Sequence, residues 1–302
     1  MPTLDEISQK PTVYSWSAKV DFVLNSRGGF KDVNSDTVSV PWSEDLVLTL
    51  EKQRIHPNLE GAGATGYRFI LDATQTASEA EELGKRLACA LLKVAIDRRW
   101  GLRLSWPDTP LPCRVVDRTA SRGPTMQGFG SVTGHLGLSD FASALQDSFN
   151  KLAKAPYRLL LSMELCASAE FELDCRAKLI VLVSAVEAIA EQEVYGSDVH
   201  DLVTSLTSLV SNSSIEDESI KSSILGQVKN LKRESIRRAI KRKLSEAGFT
   251  AEELAFIEGT YGDRSKIVHE GLRVPELTVM TAELDILIRR PYSHEIELLH
   301  LQ

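Results

Sequence analysis

Near the C-terminal end of the chain, Arg264 and His269 stand five residues apart in a run of helical period, and as a pair they could hold a phosphate and move a proton. At about 100° per residue, Leu254, Ile257, Tyr261, Arg264, Val268 and Leu272 fall on one stripe of a helix that begins after Thr250. An arginine therefore occupies a place where the pattern expects an apolar residue. At the same pitch His269 lies about 140° from Arg264, at the opposite edge of the stripe. Both side chains reach a common cleft only where the helix packs at an interface. A guanidinium there would grip a phosphate through two hydrogen bonds, and an imidazole titrating near neutrality would move a proton at a ribose 2′-hydroxyl or at the leaving oxygen. Metal-free RNA cleavage needs those two tasks. From spacing alone the simpler reading is structural: Arg264 in an ion pair, and His269 as a cation favoured by the dipole of a helix that ends at Gly271.

A second chemically unusual position is Glu187. Between residues 179 and 190 only Ser184 and Glu187 interrupt Leu, Ile, Val and Ala. A carboxylate in such surroundings needs a partner, because an unpaired buried charge is costly, and Arg264 is the natural candidate. The other reading has Glu187 pointing out at a helix edge or setting the register of a bundle.

Upstream of the Arg264 run lies a basic segment containing Lys229, Lys232, Arg233, Arg237, Arg238, Lys241, Arg242 and Lys243, opposed only by Glu234. The whole chain carries 35 Lys and Arg against 42 Asp and Glu, a net charge of −7, so any polyanion site must be a local patch. Arg233, Arg237, Arg238, Lys241 and Arg242 are the candidate RNA contacts, and such contacts weaken with salt. The same residues could instead form a solvated helix face meeting local acids such as Asp217 and Glu218. Ile236, Ile240 and Leu244 add an apolar stripe, so the segment packs somewhere in either case.

Other motifs carry less. The run from Gly61 to Gly66 superficially resembles a phosphate loop, but no lysine follows and the next residues look like a strand, so a turn is expected. His135 sits in a glycine-rich stretch that reads as a linker or a lid. Cysteines 89, 113, 166 and 175 show no metal-ligand or C-x-x-C spacing and are expected as free thiols, and neither a metal site nor a cofactor site emerges. The first residues form no leader pattern, and the most apolar run, 179 to 190, is about half a membrane span. A soluble cytoplasmic protein without membrane contact is the expectation.

The elements that must position these residues fall into two parts. With 302 residues, 43% hydrophobic and 25% charged, the chain is globular in composition and long enough for two domains. An α+β domain is expected over 1–125, with strands near 13–24, 37–40, 46–50, 67–71, 102–106 and 113–116 and one helix from 76 to about 94. A Gly-rich linker or loop follows over 126–138. Residues 139–302 then read as helical throughout, with helices near 141–152, 157–167, 171–195, 199–210, 216–247, 251–270 and 276–289 and short breaks that suit an antiparallel bundle.

Two of these segments resemble a known family. Val181-Leu182-Val183-Ser184-Ala185-Val186-Glu187-Ala188-Ile189, followed by Tyr261-Gly262-Asp263-Arg264-Ser265-Lys266-Ile267-Val268-His269-Glu270-Gly271, is similar to the first and last core helices of Apea-like HEPN domains, over roughly residues 155 to 290. The resemblance implies a helical bundle that dimerises, with the Arg-x4-His elements of two subunits meeting in one cleft, and metal-independent endoribonuclease activity of the kind found in toxin and antiviral defence systems. It makes Arg264 and His269 the catalytic pair, with Glu187, Ser265 and Tyr261 in support. RNA and a second copy become the expected partners, along with an antitoxin or other regulator. Many active members carry Asn, Asp or His where this chain has Ser265. Some members keep the fold without the activity, which leaves a non-catalytic dimerisation or binding module, built on an Arg264–Glu187 pair, as the alternative.

Overall fold

A computed structural model describes residues 16–25, 30, 36–42, 46–55, 63–74, 76–105, 112–118, 137–152, 155–271 and 274–300. The N-terminal part is an antiparallel sheet and the C-terminal part is mostly helical. Six strands, β1 (Trp16–Leu24), β2 (Thr37–Pro41), β3 (Val47–Gln53), β4 (Thr65–Thr74), β5 (Leu102–Leu104) and β6 (Arg114–Asp117), are ordered β2-β3-β4-β1-β5, with β6 also paired to β1. The aromatic residues read as strand formers meet across the pairing, since Phe22 lies opposite Tyr67 and stacks on both Tyr67 and Phe69. In the glycine run, Gly66 is the second residue of β4, where an added Cβ would lie 2.8 Å from the Gln53 carbonyl oxygen, so the close strand approach explains the glycine. Gly61 and Ala62 lie outside the described residues.

Helix α1 (Ala77–Arg98) starts at the expected cap: Thr76 and Glu79 form a reciprocal capping box, and Arg99 ends the helix in the left-handed conformation. One side of α1 packs on the sheet and the other meets helices α2 (Leu138–Lys151) and α3 (Tyr157–Ser168). Phe141 of α2 stacks on Phe69 and Trp100, and Phe149 meets Trp42 edge-on. Through these rings one apolar core runs unbroken from the strands into the helical half. The expected 126–138 linker, with His135, lies outside the described residues except at Gly137 and Leu138.

The remaining helices are α4 (Cys175–Ile189), α5 (Ser197–Ser211), α6 (Glu218–Asn230), α7 (Ile236–Glu246), α8 (Ala251–Ser265), α9 (Leu277–Leu287) and α10 (Arg290–His300). Four differ from the expected spans for identifiable reasons. The segment expected as a helix over 171–195 is helical only in α4, because the Asp174 side chain caps it through the Arg176 and Ala177 amides and the chain turns extended at Ala190. The stretch 216–247 is two helices, since residues 232–234 leave the helix to pair with 193–195 across a Val194–Arg233 bridge. The helix expected to reach 270 leaves α geometry after Ser265 and closes with a π-turn over Lys266–Glu270. Helix α10 was not expected beyond Arg289, yet Pro291 sits in its first turn, where a missing amide hydrogen is tolerated. Helices α5 and α6 form a hairpin that packs chiefly on itself, with Val203 its buried residue. Among the described residues no helix is long and apolar enough to cross a membrane.

The two halves are also joined by a buried charge cluster. Arg289 donates to the Ile96 carbonyl of α1 at 2.7 Å, to Glu170 at 2.8 Å and to Asp285 at 2.6 Å, and Lys178 lies 3.3 Å from Glu170. All four cysteines are free thiols, and burial raises the Cys166 thiol to about 12, outside the physiological titration range.

Candidate functional site

Helix α8 carries the site, and its start is strongly specified. Thr250 and Glu253 form a capping box, and Glu253 also receives Arg290 of α10. Ile257 and Thr260 are the buried positions of α8, which packs against α4, α7 and α9. Leu254, Tyr261 and Arg264 follow as the half-buried edge of that face, as the apolar stripe requires. The stripe then breaks. The π-turn bonds each residue five back rather than four, the Gly271 amide donates to the Lys266 carbonyl, and Val268 is left 46% exposed instead of packed. Leu272 lies outside the described residues. Gly271 ends the turn at φ 66°, a conformation glycine adopts without strain.

At the edge of α8 the charges are not arranged as the sequence suggested. Glu187 lies close enough to the Tyr261 phenol to act on it electrostatically. Burial first, and then this carboxylate, push the Tyr261 phenol above its ordinary range, while Arg264 and Arg237 act in the opposite direction. Arg264 is half-buried, and its Nε is sealed from solvent with no hydrogen-bond partner among the described residues. No ion pair joins Arg264 to Glu187 or to another carboxylate among the described residues. Ser265 is half-buried behind it and begins the π-turn, whereas His269 is exposed. Lys266 bonds back to Asp263 at 2.7 Å.

The basic segment divides. Arg233, Arg237, Arg238 and Lys241 are exposed on or beside α7. Arg237 lies over the Tyr261 ring at 5.1 Å, and with Lys241 it borders an apolar crevice formed by Ile240, Leu244, Leu254 and Ile257. The basic surface therefore adjoins the Tyr261 and Arg264 edge of α8. Arg242, expected among the polyanion contacts, has a different task. It bonds Glu234 at 2.7 Å, Glu193 at 3.2 Å, Glu246 at 3.3 Å and the Glu191 carbonyl at 2.8 Å, so its guanidinium is already neutralised. Lys243 is likewise paired, with Glu295 at 2.8 Å.

Sequence reasoning missed the nearness of Glu187 to Tyr261, although the three-residue step from Tyr261 to Arg264 placed those two on one helix edge. It also missed Glu234 as an anchor. That residue is 3% exposed and accepts from the Glu193 amide, and nothing in a run of lysines and arginines marks its one acid as buried. No family model, no curated protein and no solved structure matches this chain.

Proposed function

We propose that the helical half is a HEPN-type domain that cleaves single-stranded RNA without a metal ion. The carrying observation is that Arg264 is not neutralised by Glu187, which leaves a partly desolvated guanidinium whose bonding capacity suits a phosphate. In this reading Arg264 holds the scissile phosphate and His269 takes the 2′-hydroxyl proton or gives one to the leaving 5′-oxygen. The 2′-oxygen forms its bond to phosphorus as the bond to the 5′-oxygen breaks, leaving a cyclic phosphate and a free 5′-hydroxyl. Tyr261, Ser265 and Glu187 support the arginine. The exposed Arg233, Arg237, Arg238 and Lys241 guide the polyanion.

The exposure of His269 on a π-turn also favours this reading, because such turns recur at functional sites and a second copy would supply the facing wall of the cleft. The sheet-bearing half would then sense, recruit or restrain, as in a cytoplasmic toxin or defence effector held by an antitoxin or other regulator. A second reading, a non-catalytic dimerisation or binding module, draws support from the absence of a bond between His269 and Arg264 within one copy among the described residues. The Arg264–Glu187 pair on which that reading was built is not formed.

The purified chain, incubated with single-stranded RNA in EDTA, decides between them. Cleavage that is abolished by Arg264→Ala and by His269→Ala, with the oligomer intact, supports the enzyme. Equal cleavage by both variants and the parent chain removes it.

A further inference from the structure

We propose that the hairpin of α5 and α6 is a self-association surface, on which two copies of this chain dock about a two-fold axis with their hairpins antiparallel. The inference does not depend on the ribonucleolytic reading. Helices of 15 and 13 residues are marginal by themselves and hold their shape by burying a face. Yet Val203 is the one buried residue of this pair among the described residues, whereas Leu202 is 58% exposed, Leu209 72%, Ile220 53% and Leu231, just past the end of α6, 53%. The spacing gathers these four. At about 100° per residue, Leu202 and Leu209 fall within about 20° of each other around α5, and so do Ile220 and Leu231 around α6.

Each of the four stands one position before a buried or half-buried residue, Val203, Val210, Lys221 or Lys232, and is therefore turned from the packed face of its helix by the same angle in the same sense. In antiparallel neighbours an offset of one sense opens to one side of the pair, so the four side chains make a single apolar face. Monomeric soluble proteins rarely leave such a face uncovered. Charge says what covers it. The turn that enters α6, at the tip of the hairpin, carries Glu216, Asp217 and Glu218, all exposed, and Lys221 offsets one of these acids. The root of the hairpin, where α6 ends, carries Lys229 and Arg233, both exposed, with Lys232 beside them. Asp198 and Asp201 at the start of α5 offset part of that basic end, and Arg237 and Arg238 at the start of α7 add to it. A two-fold axis sets one surface patch against the same patch of the other copy. Antiparallel hairpins thereby place the acidic tip of each chain on the basic root of the other, and bring Ile220 toward Leu231 of the second copy. Parallel hairpins would set tip on tip and root on root, where like charges repel.

Charge reversal tests the arrangement. A tip-reversed chain, Glu216→Lys with Glu218→Lys, and a root-reversed chain, Lys229→Glu with Arg233→Glu, each place like charges at both ends of the contact, whereas a mixed pair places opposite charges at both. Sedimentation equilibrium of the parent chain at about 100 µM should give the mass of an assembly. Either variant alone should give half that mass, and an equimolar mixture of the two should return to it. Recovery on mixing also shows that the variants are folded. Leu209→Glu, which acts twice in a two-fold interface, should weaken association at least about tenfold. A parent chain that stays single overturns the proposal and leaves the face to a different partner. Variants that keep the parent mass overturn it as well and place the association elsewhere on the helical half, which is the outcome expected if a cleft at Arg264 and His269 alone joins two copies. A mixture that stays dissociated does the same.

Discussion

Arg237 of α7 lies over the ring of Tyr261 on α8, 5.1 Å from its centroid, and so brings the basic face of α7 to the edge of α8 that carries Arg264. Glu187 of α4 acts on the same phenol. Arg264, one turn further along α8, has no ion-pair partner among the described residues, and its Nε is sealed from solvent.

The phenol itself reports this arrangement. Burial and the nearby carboxylate together raise the Tyr261 pKa, so removing the carboxylate by Glu187→Gln should bring it down toward the ordinary tyrosine value. Ultraviolet titration of the two chains, with Tyr261→Phe identifying the band, measures the shift. An unchanged titration would show that Glu187 does not act on this hydroxyl.

The cluster around Arg289 should behave as a structural lock between the sheet-bearing and helical halves. Arg289 is 10% exposed and Glu170 3%, so Arg289→Met leaves Glu170 and Asp285 buried with Lys178 facing them. Removing one partner from a buried ion network typically costs about 3–5 kcal/mol. Urea unfolding should show that loss, and adding Glu170→Gln and Asp285→Asn should recover part of it. A loss below about 1 kcal/mol, the scale of an exposed pair, would mean the cluster is solvated.

Acid should loosen the junction between α6 and α7. The Arg242 guanidinium, and behind it the Glu193 amide, hold the Glu234 carboxyl below its ordinary range. A carboxyl depressed on folding stabilises the fold above its unfolded pKa of about 4.3, and that contribution disappears as the pH falls through the lower folded value. The parent chain should thus lose more stability than Glu234→Gln as the pH drops below about 4.3. Parallel stability curves across that range would assign the acid sensitivity elsewhere.

The helix that presents Arg264 depends on its first turn. Thr250→Ala removes the oxygen that caps the Glu253 amide, at a cost of about 1 kcal/mol. Glu253→Ala should cost more, since Glu253 also bonds the Thr250 amide and Arg290. Denaturant midpoints of the two variants give the comparison, and equal midpoints would remove the Arg290 contribution.

Much of this protein can be read from local pattern. Period-two runs and turn residues located β1 to β4, Thr76 and Glu79 marked the start of α1, Thr250 and Glu253 marked that of α8, and the apolar stripe placed Leu254, Ile257, Tyr261 and Arg264 on one edge. These features depend on residues within one or two turns of each other, and so the chain displays them directly. The break at 231–235 was not legible, because the competing partner is the segment 193–195 and the anchor, Glu234, looks like any acid among bases. The Arg289 cluster was not legible either, since Arg289 and Glu170 are 119 residues apart.

What the sequence determined by itself is that Tyr261 and Arg264 share one edge of a helix and that Glu187 interrupts another, apolar one. Which of them would pair was decided only by the tertiary structure. A helix periodicity orders side chains around one axis and says nothing about the rotation and spacing of a second helix, and it is that relative placement of α4 and α8 which leaves Arg264 without an ion pair among the described residues and Glu187 near the Tyr261 phenol.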